Sequence, residues 1–395
     1  MPVHRLPEPD ADAAAHSRRL AEHVAAEIAA HGPMPFARFM EQLLYAPGLG
    51  YYSAGSRKFG AEGDFVTAPE LGPAFAHALA HCLAQAMAGG DDRDLLEVGG
   101  GSGALAADLL PALAARDALP RRYRLLEISA DLRERQRAHI AAHCPQWLHR
   151  VDWIDRPPAD AWRGALLANE VIDALPATRF ILRDDGIHEQ YVGGNAEAFH
   201  WLEHPAAPAL ADLLRQRLGE SFDLLPRPYR SEVHANLEPW LATLTGAMRE
   251  GLALFIDYGY PRHVYYSPER SDGTLVCHYR HHAHDDPLHL PGLQDITAFV
   301  DFTALAEAAL HNGLEVAGYT SQAQFLLGND IEGYLHGLQS LPTAQRLARG
   351  NTVKMLMLPG QMGERFQVMA LSRGLCQAQV PGFDVDLRYQ LQPRT

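Results

Sequence analysis

Glu97, Gly99, Gly101 and Gly103 occupy every second position of one short stretch, Leu96-Glu97-Val98-Gly99-Gly100-Gly101-Ser102-Gly103. Glycines let a ligand approach the backbone without meeting a Cβ atom. A turn that opens a helix aims unpaired N–H groups at whatever sits there. This is chemistry for holding a nucleotide-type ligand. Further along come Glu127, Asp152-Trp153, Asn169-Glu170 with Asp173, and Asp257-Tyr258. An acid after such a turn can accept hydrogen bonds from ribose hydroxyls, and acids beside an amide can orient a polar acceptor and take its proton. Gly99, Gly101 and Ala104 also satisfy the dinucleotide fingerprint G-x-G-x-x-G/A, so the glycines alone leave the ligand open.

The elements that must position these residues follow from hydrophobic pattern. Leu95, Leu96 and Val98 read as a strand buried on both faces, and Ala104 to Leu110 as the helix after the turn. Strands are expected at Tyr123 to Ile128, more weakly at Trp147 to Trp153, at Ala165 to Glu170 and at Leu252 to Gly259. A helix from Asp131 to His143 lies between the second and third. Strands alternating with helices mark a parallel α/β sheet. Phe302 to His311 reads as a helix, Leu314 to Tyr319 as a strand, and Arg365 to Leu371 as a closing strand. The long gap before the fifth strand carries a hairpin signal, Asp184-Asp185-Gly186 between Phe180–Arg183 and Ile187–Val192. Ahead of the sheet, Leu20, Val24 and Ile28 share a helix face, and Pro35 to Leu44 and Phe75 to Met87 are also helical. A loop between these helices holds Gly60, Gly63, Asp64, Thr67 and Glu70. The expected organisation is a helical cap with an active-site loop (1–90), the first half of the core (91–175), an inserted α+β subdomain (176–247) and the second half (248–395).

In open parallel sheets, ligands bind beyond the carboxyl ends of the strands. Polar residues fall at those ends here: Glu97 and Gly99, Glu127, Asp152, Asn169 and Glu170, Asp257 and Tyr258. A buried strand rarely finishes in a carboxylate that has no partner, since a lone buried charge is costly; helix capping is the alternative use. Each position has a task if the ligand is S-adenosylmethionine (SAM). The glycine turn takes the amino-acid portion, Glu127 the ribose, and Asp152 with Trp153 the adenine. Asn169, Glu170 and Asp173 then lie beside the transferable methyl, a cluster for which hydride transfer has no evident use.

The chain resembles the MidA-type family of class I SAM-dependent methyltransferases. The matching stretches are Gly63-Asp64-Phe65-Val66-Thr67-Ala68-Pro69-Glu70, Leu96 to Gly103, Asn169-Glu170 through Asp173-Ala174-Leu175-Pro176, Asp257-Tyr258-Gly259 and Met362-Gly363-Glu364-Arg365-Phe366. The resemblance implies a Rossmann-like, mostly parallel sheet with an N-terminal helical cap, SAM as cofactor, and Thr67 on the cofactor side. A mitochondrial member methylates protein arginine in complex I assembly. By resemblance the partner is therefore a protein presenting arginine, a respiratory-complex subunit being one option.

Guanidinium is a poor nucleophile because its charge is delocalised and its pKa exceeds about 12. The enzyme must hold a nitrogen lone pair in line with the methyl at about 3 Å. Glu170 and Asp173 are the expected catalytic carboxylates, with Asp64 and Glu70 reaching the pocket from the cap loop and Asp257 and Tyr258 lining its far wall. A small-molecule N- or O-methyltransferase and a non-catalytic SAM-binding assembly factor are the alternatives.

Composition narrows the classes. A net charge of -14 and only two lysines, Lys58 and Lys354, argue against nucleic acid as a partner. No uninterrupted apolar run reaches membrane-spanning length. The start, with Glu8, Asp10 and Asp12, lacks a signal-peptide plan. Cys82, Cys144, Cys277 and Cys376 lie too far apart for a zinc motif and suit reduced, buried thiols, so cytoplasm is the expected compartment. His278, His281, His282, His284 and His289 crowd one segment but match no helical metal pair, and no metal is expected.

Overall fold

The computed structural model describes residues 6–54, 67–88, 90, 92–375 and 380–392. The chain forms two compact units: Met1–Phe65, Asp173–Asn236 and Arg262–Asp301 make one, and Val66–Ile172, Leu237–Pro261 and Phe302–Thr395 the other. Consecutive segments of sequence are thus regrouped. Residues 67–88 of the expected cap fold with the sheet, whereas 262–301 fold with the N-terminal helices.

The second unit carries strands β1 (Asp94–Val98), β2 (Tyr123–Leu126), β3 (Val151–Ile154), β4 (Trp162–Asn169), β5 (Met248–Tyr260), β6 (Glu315–Ser321) and β7 (Phe366–Arg373). They pair in the order β6-β7-β5-β4-β1-β2-β3. β1 to β5 run parallel, and β7 runs antiparallel to both β5 and β6. Every residue of β1 is buried, and β4 and β5 are buried over most of their length, which is why their sequences run apolar without alternation. Helices α1 (Pro73–Met87), α2 (Ala104–Ala114) and α3 (Ala130–His143) belong to this unit. Phe75, Leu79, Leu95, Leu109, Leu254 and Phe366 share one core cluster, each fully buried side chain contributing about 1.5–3 kcal/mol. The strand expected from Trp147 starts later: Pro145–Arg150 is a 3-10 turn, and only Val151–Ile154 joins the sheet. Pro145 at the start of that turn has no N–H to give a ladder.

In the first unit, helix Ala11–His31 buries Leu20, Val24 and Ile28, and Asp10 caps it by accepting the Ala13 N–H at 2.9 Å. Its sheet joins Met34–Pro35, Gly186–Asn195, Thr178–Arg183 and Tyr229–Val233, with Ala198–Pro205 also paired to Gly186–Asn195. The expected hairpin forms with Arg183 opposite Gly186. Val276–Tyr279 pairs with His282–His284 and Asp295–Thr297 in a small sheet, so the histidine-rich segment is a hairpin. Among the described residues, no helix is long and apolar enough to cross a membrane, and no group of three or more His, Cys, Asp or Glu is placed to hold a metal. Cys82, Cys144 and Cys277 are buried free thiols; Cys376 lies outside the described residues.

Candidate active site

β1 has β2 on one side and β4 on the other, so the chain reverses direction of strand addition between β1 and β4. At such a switch point the helices leave opposite faces, and a crevice opens at the carboxyl ends. Val98 is level with Ala168, which puts Gly99 beside Asn169 at this edge. The turn is forced left-handed: Gly99, Gly101 and Gly103 have φ of 68°, 51° and 86°. At Gly103 a Cβ would also come within 3.0 Å of Gln136 Cα. Glycine is therefore required there twice over, by conformation and by space.

Glu127 directly follows β2, and its N–H donates to Ile154 O at 3.0 Å. One carboxylate oxygen accepts the Ser129 N–H at 2.8 Å, the other the Gln136 side-chain amide at 3.2 Å. Burial holds the Glu127 carboxyl above the usual range, against the pull of these two donors. Gln136 is 0 % exposed and also donates to Gly101 O at 3.0 Å, while its Oε1 accepts the Trp153 Nε1–H at 3.0 Å. One side chain thus ties the glycine turn, the acid and β3 together. Sequence reasoning missed it. Its signal was a glutamine in the buried stripe Leu132, Gln136, Ile140 of α3. Ile128, next to Glu127, is 63 % exposed and offers an apolar surface at the same edge.

Several expected roles are revised. Glu97 is buried within β1, below the turn, where it accepts the Tyr123 hydroxyl at 2.5 Å. Burial, with the Glu127 charge adding to it and Tyr123 opposing, pushes its pKa up to about 7. Asp152 lies two residues before the end of β3, level with Arg124, and pairs loosely with Arg122 at 3.7 Å. Its side chain therefore stops short of the carboxyl edge, because the strand begins later than expected. Trp153 has the Arg137 guanidinium over its ring at 4.2 Å, so that face is taken by the protein itself. Glu70, in the 3-10 turn Ala68–Leu71, accepts the Ser102 hydroxyl, which ties it to the glycine turn. Thr67 precedes that turn, and its carbonyl accepts the Glu70 N–H at 3.0 Å.

At the end of β4, Asn169 donates to Glu170 Oε1 at 3.0 Å. Asn169 Oδ1 is buried and accepts no hydrogen bond from the described residues. Glu170 has φ of 53°, a conformation that costs a non-glycine residue and is kept at functional positions. Its N–H donates to Ile256 O at 2.9 Å. Asp257, expected as a wall of the pocket, instead accepts the N–H groups of Val171, Ile172 and Tyr258. Tyr258 packs its ring on Phe366, with centroids 3.9 Å apart. Asp173 belongs to the first unit, where it is buried and its carbonyl accepts the Ala298 N–H at 2.9 Å. Tyr52 in that unit donates to Asp295 at 2.8 Å, and burial, then Asp295, Tyr45 and Asp173, hold its hydroxyl well above the ordinary range. Asp64 lies outside the described residues.

A strand order with a glycine turn, a twice-braced acid and an amide–acid pair at one sheet edge suits a nucleoside ligand with a charged amino-acid arm. The family model described as "Putative S-adenosyl-L-methionine-dependent methyltransferase" matches residues 75–320. The chain belongs to this family. This methyltransferase is similar along nearly its whole length to a Burkholderia thailandensis protein whose crystal structure is bound to S-adenosyl-homocysteine (SAH). The two share 41% identity over 97% of this chain and 98% of that one, with a TM-score of 0.91. It is 28% identical to the mitochondrial protein arginine methyltransferase NDUFAF7 homolog of Drosophila melanogaster, over 97% of this chain and 92% of that protein. The Danio rerio NDUFAF7 protein is also 28% identical, over 90% and 87% respectively. These relatives are mitochondrial by name, which overturns the expectation of a cytoplasmic protein drawn from cysteine usage and the N-terminus. Cysteine spacing reports a reducing compartment, and that property does not single out the cytoplasm.

The cofactor is SAM, and the site's residues fit it. Asn169 Oδ1 is a buried acceptor awaiting a donor, as an ammonium group would be. Glu127 presents a carboxylate already oriented by two donors. At Gly99 a Cβ would press on Val171 Cγ2 at 3.3 Å, so the glycine turn lies close against the residues that follow β4.

Proposed function

We propose that this chain methylates a guanidinium nitrogen of arginine in a protein substrate, with Glu170 as the carboxylate that orients the acceptor. Relatives aligned over nine-tenths of the chain or more carry the name protein arginine methyltransferase, which supports the substrate class. The observation that carries the catalytic assignment is Glu170 itself, held left-handed at the end of β4 with its carboxylate fixed by Asn169.

When bound, SAM supplies a methyl group on a cationic sulfur, so no further activation of the donor is required. The chain's residues do the rest. Glu127 accepts the ribose hydroxyls on its two oxygens, and Asn169 Oδ1 accepts from the ammonium of the methionine arm. The glycine turn admits that arm without a Cβ in its way. The Glu170 carboxylate accepts guanidinium N–H groups, which fixes the plane of the acceptor and draws its charge away from the attacking nitrogen. As the nitrogen–methyl bond forms, the methyl–sulfur bond would break with its electron pair going to sulfur, leaving the neutral thioether of SAH; the nitrogen then gives up a proton, and Glu170 is the base placed to take it.

The test is Glu170→Gln, assayed with methyl-tritiated SAM and protein extract from SAM-depleted cells. Transfer should fall by roughly 100-fold or more, as expected for a positioned acid–base group, while SAH affinity by calorimetry stays close to the parent. Acid hydrolysates of the labelled protein should yield methylarginine. Full turnover by the variant would remove Glu170 from its role, and label found only in small molecules would remove the substrate class.

A further inference from the structure

Residues 170–172 make their backbone hydrogen bonds to β5. The Glu170 N–H donates to Ile256 O at 2.9 Å, and the next two N–H groups both go to Asp257 Oδ2, from Ile172 at 2.9 Å and from Val171 at 3.2 Å. The other oxygen, Oδ1, accepts the Tyr258 N–H at 2.8 Å. Asp257 is 1 % exposed, so these donors meet the carboxylate away from bulk water. The peptide that turns left-handed at Glu170 is followed directly by the two N–H groups that the carboxylate collects. Successive N–H groups converging on one oxygen form an anion-binding nest, and here the anion belongs to the protein.

We propose that Asp257 is a positioning residue for methyl transfer: its carboxylate grips the backbone of Val171 and Ile172 and thereby keeps Glu170 in the left-handed conformation that presents its side chain at the sheet edge. The proposal rests on Glu170 being the carboxylate that orients the acceptor. It assigns Asp257 no contact with substrate or cofactor. An uncharged amide cannot replace it. Asparagine brings one carbonyl oxygen, so either Tyr258 or the Val171–Ile172 pair would face an NH2 group, donor against donor.

Two cycles test this on the full-length protein. In the first, Asp257→Asn, Glu170→Gln and the double variant are assayed with tritiated SAM varied and acceptor extract fixed. Asp257→Asn should lower kcat by roughly 10- to 100-fold, with KM for SAM and SAH affinity near the parent, and the double variant should lose no more than Glu170→Gln alone. Losses that multiply, or a fall in SAH affinity to match kcat, would overturn the proposal and leave the role of Glu170 standing. In the second, thermal midpoints are measured for Asp257→Asn with glutamate or glycine at 170. Glycine adopts the left-handed conformation freely, so the destabilisation by Asp257→Asn should be smaller in the Glu170→Gly background, where only the donor-against-donor cost is left. An equal destabilisation in both backgrounds, or a double variant that fails to fold, overturns the proposal. The thermal cycle needs no turnover, so it reads Asp257 even if Glu170→Gln stays fully active and the catalytic assignment falls.

Discussion

Replacing Gln136 by leucine keeps the size of the side chain and deletes all its hydrogen bonds. In the native protein its amide joins Glu127 Oε2 and Gly101 O, and its Oε1 takes the Trp153 N–H. A buried polar atom left unpaired costs about 1–3 kcal/mol. Gly101 and Trp153 are only half-buried, so water can satisfy part of the deficit. The loss of stability should therefore be about 2–4 kcal/mol, or roughly 2–5 °C in Tm for a chain of this size. Binding should suffer separately, because Glu127 loses the Gln136 amide from one carboxylate oxygen while the Ser129 N–H stays on the other. SAH affinity by calorimetry should drop by about 10- to 100-fold, the value of orienting a charge-assisted hydrogen bond. The pH dependence supplies a second signature. Glu127 already sits above the ordinary carboxyl range because it is buried, and Gln136 is one of the groups pulling it down. Without Gln136 its pKa climbs further, so the affinity that needs an ionised Glu127 should be lost at a higher pH on acidification. Parent-like SAH affinity across the pH range in Gln136→Leu would refute the view that this glutamine sets the geometry of the cofactor acid.

Two further outcomes follow from the same neighbourhood. Glu97 holds its proton in the folded chain up to about 7, against 4.5 for an ordinary glutamate, so the unfolded state loses the proton first as pH rises. Its contribution is full below pH 4.5 and is lost between there and about 7, on the order of 3 kcal/mol. Denaturant titrations of Glu97→Gln should lack that decline, and an unchanged slope would assign it to another group. Gly103→Ala imposes a left-handed alanine, about 1–2 kcal/mol, and drives its Cβ toward Gln136. Tm and SAH affinity should both fall, and a variant matching the parent in both would show that the turn tolerates a side chain.

The residues proposed to meet the ligand are legible in the sequence because strand periodicity marks where strands end, and a residue that breaks the end of an apolar run stands out. Gly99, Glu127 and Asn169 were found that way, and the parallel core with its hairpin-bearing insertion came from the same pattern. Asp152 reads as an edge residue only if the strand starts at Trp147. With Pro145–Arg150 folded as a 3-10 turn, the strand slides toward the C-terminus and the acid falls short of the edge. Trp153 and Glu97 misled for another reason. Their types suit a ligand, but Arg137 and Tyr123 use them first, and those partners lie 16 residues before and 26 residues after in ways no local pattern reports.

What remained unread was the support beneath the site, and the physics of buried polar groups explains why. Gln136 and Asp257 touch mainly backbone atoms and other side chains that belong to the site, so their value appears only once β1, β2, β4 and β5 are laid side by side. A ligand-contacting acid must sit at an edge, and edges are visible in sequence. A supporting acid must sit where N–H groups converge, and convergence is a property of the sheet. The carboxylate on β5 shows the difference: its place after an apolar run was readable, whereas its task depended on Val171 and Ile172, which precede it by 86 and 85 residues. Two acids one strand apart thus divide the work at this edge. In the proposed scheme Glu170 is kept in an unfavourable backbone conformation to face the acceptor, and Asp257, by satisfying the Val171, Ile172 and Tyr258 N–H groups, holds that conformation in place.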